Sequence, residues 1–135
     1  MSPELVMFNF QTGRIVDGLA FIGTIIAIWL ALRIANMTGE NPESNIIAKI
    51  VSTGFGACVV IGSFQAYTFA ANTFIITARR IQENIEAAPN PEEAQNFIDF
   101  VGTTDPSMTP TPLGIAFLAI VSLMIVTLIW VPRNN

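Results

Sequence analysis

Residues 46–78 form an apolar run far longer than the roughly 20 residues that a helix needs to cross a bilayer. Along it a small residue recurs at every fourth position: Gly54, Cys58, Gly62, Ala66 and Ala70. With 3.6 residues per turn, these five make a slowly drifting groove on one side of a helix. Between helices in lipid there is little hydrophobic drive. Close approach at small residues, helped by hydrogen bonds, takes its place. The run therefore predicts a membrane helix with a surface shaped to receive another helix, either one of this chain's own or one from a partner.

Two further runs have spanning length, about 16–35 and 112–131. None of the three alternates strictly, and each exceeds the roughly 10 residues of a barrel strand. The expected fold is an all-α membrane protein forming one domain. It has three transmembrane helices, plus short amphipathic helices at the N-terminus and in the 79–111 loop. Only 12% of the 135 residues are charged, against about 25% in soluble domains.

Composition also bounds the chemistry. Net charge is −4, and the six Lys and Arg residues are scattered, so the basic stripe of a nucleic-acid binder is absent. There is no histidine and one cysteine. Histidine is the commonest metal ligand and a frequent haem ligand, so no metal site and no cofactor is expected from this chain alone. Templates that use histidine as base or orienter cannot be built. No phosphate loop or pair of intramembrane carboxylates is present, and the expectation is a protein without catalytic residues.

Helix punctuation is clear at several points. Ser2-Pro3-Glu4 reads as a cap, a proline at the first position and an acid. A short interfacial helix is expected over 5–10, broken by Gln11-Thr12-Gly13. Met-Ser-Pro-Glu lacks the basic region of a secretory signal, so the first span is expected to be retained. A polar turn is expected over 37–45, with Asn41-Pro42 as its stop. Asn36-Met37-Thr38 fits the glycosylation sequon but abuts a span. The second helix, about 50 Å long if it is continuous over 46–78, overruns a bilayer core and should project into water. Asn90-Pro91-Glu92-Glu93 starts another helix, and Phe97, Ile98, Phe100 and Val101 give it an apolar patch for a membrane surface or a partner.

Individual polar residues carry two readings each. Gln65, Thr68 and Asn72 fall at spacings of three and four and share a face. They are either interhelical glue or the lining of a polar path. Asp17 follows Arg14 by three residues and is either its ion-pair partner or part of a proton path. Lys49 should snorkel to headgroups. Trp29, Arg33, Arg79, Arg80 and Trp130 sit where interface anchors sit, and Arg79-Arg80 also suit an anionic lipid. Counting Arg14, Arg79 and Arg80 on one side against Arg33, Lys49 and Arg133 on the other gives a tie, so orientation stays open.

Two functions follow as expectations. One is a non-catalytic accessory subunit of a larger membrane complex, an energy-converting or oxidative enzyme for instance. Its partners would be membrane lipids and other transmembrane subunits, in a bacterial cytoplasmic or organellar membrane. The alternative is a self-associating chain that forms a ring or pore, as holin-like or small channel proteins do, with Gln65, Thr68 and Asn72 toward the lumen.

Overall fold

A computed structural model describes residues 2–132; Arg133 of the charge count lies outside them. Within these residues the regular structure is all helical, with no strand. Four α-helices follow in order: α1 (Pro3–Glu40), α2 (Ile46–Gln82), α3 (Pro91–Val101) and α4 (Pro112–Trp130). A 3-10 turn at Ile85–Ala87 joins α2 to α3. α1, α2 and α4 are each long and apolar enough to cross a membrane.

The first helix corrects two expectations. There is no separate N-terminal helix: Gln11-Thr12-Gly13 is part of α1. Glycine at position 13 weakens a helix by only about 1 kcal/mol. Tertiary contact offsets that, since Gly13 lies against Thr73 of α2, whose methyl carbon would be 3.0 Å from an added Cβ. The same helix continues through Met37, Thr38 and Gly39 to Glu40, so the turn is shorter than expected. It consists of residues 41–45, where Asn41 Oδ1 accepts from the Glu43 amide at 3.0 Å, an Asx turn that competes with helix. The caps fall where the sequence put them. The Ser2 hydroxyl accepts from Leu5 N at 3.4 Å. Asn90 Oδ1 accepts from Glu93 N at 3.3 Å, and Gly102, in the left-handed region at φ 77°, ends α3.

α1 and α2 form an antiparallel hairpin, and α4 packs against both. The core is one cluster: Ile28, Ala31 and Ala35 from α1 meet Leu118, Val121, Ile125 and Ile129 from α4. On α4 these positions step by three and four, a single helical face. Val59, Val60, Phe64 and Tyr67 of α2 close the cluster. Small residues set the spacing. A Cβ on Gly39 would collide with the Leu128 carbonyl oxygen, and one on Gly56 would lie 2.8 Å from Ile125 Cγ2.

The helices differ in reach. α4 has 19 residues, about 28 Å, whereas α1 has 38 and α2 has 37, each about 55 Å. At one end α1 and α4 finish together, at the level of Ser52 and Thr53 of α2. Thr38 Oγ1 and Ser52 Oγ are 2.7 Å apart, and Trp130 Nε1 donates to Thr53 Oγ1 at 3.0 Å. At the other end α4 begins near Tyr67, and α1 and α2 continue past it as a projecting pair. α3 folds back along that projection. Val6, Ile75, Ala78 and Ile98 are buried there, and Phe10 stacks edge-on against Phe74 at 5.4 Å and Phe97 at 5.5 Å. The α3 patch expected from sequence therefore faces the hairpin through Phe97 and Ile98, while Phe100 is 78% exposed.

Candidate helix-docking interface

α2 carries two small-residue faces, and only one is packed against other described residues. At 100° per residue Gly56 lies about 160° from Gly54 around the helix. Ser52, Gly56 and Ser63 are buried, Gly56 against Ile125 of α4. On the opposite side Gly54 and Gly62 have open space: a Cβ added at either would meet nothing within 4 Å. Cys58 between them is exposed and is a free thiol. The lower part of the stripe drifts off this face. Ala66 is half-buried, and Ala70 lines a slot shared with α1 and α4. The inward face of Ser52, Gly56 and Ser63 was not singled out from sequence. Its signal, small residues at spacings of four and seven, is weaker than that of the longer stripe on the opposite side.

Gln65, Thr68 and Asn72 separate in the structure. Thr68 is buried and donates to the Phe64 carbonyl oxygen at 2.8 Å, within its own helix. Asn72 binds the connector between α3 and α4: its Nδ2 donates to the Ser107 carbonyl oxygen, and its Oδ1 accepts from the Ser107 amide, both at 2.8 Å. Gln65 alone is exposed, on the open face, and its side chain has no hydrogen-bond partner among the described residues. It lies three residues after Gly62 and seven after Cys58, so the amide projects from the same side as the open stripe. Ile61 and Phe69, 60% and 69% exposed, flank it.

The basic and aromatic residues pair locally. The Arg33 guanidinium lies 5.5 Å from the Trp29 ring centroid, and the Lys49 ammonium lies 5.7 Å from that of Trp130. Arg79 pairs with Glu83 at 3.3 Å, an exposed contact worth little. Arg80 is half-buried where α2 meets α3. Arg14 and Asp17 form an ion pair at 3.1 Å on α1, and the guanidinium also covers the Phe74 ring at 4.6 Å. Among the described residues no group of His, Cys, Asp and Glu is placed to hold a metal ion.

What this arrangement offers chemically is contact. The open face of α2 combines two glycines and a cysteine that permit a close backbone approach, one amide with donor and acceptor to spare, and bulky apolar side chains on either side. No protein-family model, no curated protein and no solved structure matches the chain.

Proposed function

We propose that this chain is a membrane-embedded, non-catalytic accessory subunit that docks a helix of a larger membrane complex on the open face of α2. Membrane residence is supported by three helices of spanning length whose surfaces are apolar on all sides, with Phe21, Ile26, Ile47, Phe69 and Leu123 all more than half exposed. The observation that carries the docking reading is the conjunction on α2 of the open Gly54, Cys58 and Gly62 with the unpartnered amide of Gln65. An amide in hydrocarbon without a partner costs free energy that an incoming helix relieves. Each interhelical hydrogen bond of this kind contributes about 0.6 kcal/mol on average.

The pore alternative draws less support. A lumen needs a continuous polar lining. Of the three residues offered for it, Thr68 is buried against its own backbone and Asn72 is held by the connector, which leaves Gln65 alone.

The test is co-purification under gentle extraction. Gly62→Leu fills the open face while keeping the helix apolar, so it should insert normally and lose partner chains. Phe74→Leu, on the hairpin side, should retain them. If Gly62→Leu retains its partners at matched membrane abundance, the face is not an interface. A ladder of this chain alone in the native mass spectrum would favour the self-associating reading instead.

A further inference from the structure

A second feature lies on the far side of α2 from the docking face, at the level where α4 begins. α1, α2 and α4 diverge there around a half-open slot of about 550 Å³. Its walls are almost entirely apolar, with Phe21 and Ile25 from α1, Tyr67 and Ala70 from α2 and Phe117 from α4. From Arg14 to Ile25 it runs along about 16 Å of helix. The hydroxyl of Tyr67 is already hydrogen-bonded to Thr24 Oγ1 at 3.2 Å, so the phenol at the wall has its partner.

The mouth differs from the walls. Arg14 is the one charged residue lining the slot, whose wall also includes Thr111 and Leu113, where the apolar run of α4 starts. Its guanidinium is fixed from two directions. Asp17, whose side chain is only 12% exposed, accepts from Nη1 at 3.1 Å, and the ring of Phe74 lies under its plane. Guanidinium has five N–H donors, and Asp17 takes one. The remaining N–H donors of the ion-paired guanidinium, over an apolar slot at the start of α4, complement a phosphodiester with an acyl chain below it. We infer that the slot binds one phospholipid, with an acyl chain between the three helices and the phosphodiester on Arg14. The inference rests on the membrane reading above but not on the docking face.

Binding is measured by native mass spectrometry of the full chain, delipidated in detergent and titrated with palmitoyl-oleoyl phosphatidylglycerol or with diacylglycerol of the same tails. Wild type should take up one phosphatidylglycerol per chain and bind diacylglycerol roughly tenfold more weakly, the loss expected for removing a charge-assisted hydrogen bond. Arg14→Gln combined with Asp17→Asn removes the cation without stranding a carboxylate, and should weaken phosphatidylglycerol to the diacylglycerol level. Ala70→Leu, which fills the slot and leaves Arg14 in place, should abolish uptake of both. Equal binding of the two lipids by wild type, or unchanged uptake by either variant, overturns the assignment. Recovery of the chain from the soluble fraction of cells would overturn the membrane reading itself, and with it the premise of the slot's ligand.

Discussion

Asn72 and Ser107 exchange two hydrogen bonds of 2.8 Å, the carboxamide of α2 reading the backbone N–H and C=O of the connector as another strand would. This contact fixes where the chain leaves α3 and enters α4. Replacing Asn72 with Leu strands both backbone groups of Ser107, at a cost of about 1–3 kcal/mol. Amide exchange at Ser107 should accelerate by roughly tenfold or more in Asn72→Leu, with the α1–α4 core near Ile125 unchanged. Unchanged exchange at Ser107 would show that the connector is held by other means.

The open face of α2 and Gly39 of α1 make a second prediction. Gly39 touches the α4 backbone at Leu128, so Gly39→Ala must push α1 and α4 apart. Overpacking of this kind costs about 1–3 kcal/mol. Gly54→Ala meets nothing and should be neutral or stabilising in the isolated chain, since alanine favours helix over glycine by about 1 kcal/mol. Unfolding of the two variants in the same detergent separates them. Equal midpoints would mean that α1 and α4 do not meet at Gly39.

The architecture was largely legible in the sequence, for reasons that particular residues make plain. Long apolar runs and strong caps are local signals, and Ser2, Asn90 and Thr111 each cap the helix that follows. What misled was Gly13 and the polar stretch from Met37, which contains Gly39; the poor helix propensity of the two glycines is outweighed by packing against Thr73 and Leu128, contacts far away in sequence. The candidate interface was half legible. Spacing put Gly54, Cys58 and Gly62 on one face, but no local signal says that Ser52 and Gly56, rather than they, meet α4. Gln65, Thr68 and Asn72 share a helical face in projection, yet a connector that returns across α2 gives Asn72 a partner that Gln65 lacks. The slot under Arg14 was illegible, because it exists only where three helices diverge.

On the proposed membrane reading, the three helices of spanning length put the projecting end and the 41–45 turn on opposite sides of the bilayer. In a Cys58→Ser background, single cysteines at Ser2 and Met108 should react with an impermeant maleimide from one side, and one at Glu43 from the other. Ser2, Glu43 and Met108 are all exposed, so access does not bias the comparison. Labelling of Glu43 and Met108 from the same side would mean that α2 does not cross.

The last prediction concerns how α3 is held. Phe10 stands between Phe74 and Phe97, edge-on to both, and so joins all three helices of the projection. Each aromatic pair contributes about 0.5–1.5 kcal/mol beyond the area it buries, and deleting the ring also leaves a cavity. α3 has only 11 residues, too short to persist alone in water. Its helicity therefore depends on docking. Phe10→Ala should release it, which raises amide exchange across Pro91–Val101 and opens the 83–90 segment to protease, while α4 stays protected. Phe100→Ala, on the exposed side, should change neither. Should α3 remain protected in Phe10→Ala, the buried contacts of Ile98 would suffice to hold it, and the aromatic cluster would be dispensable.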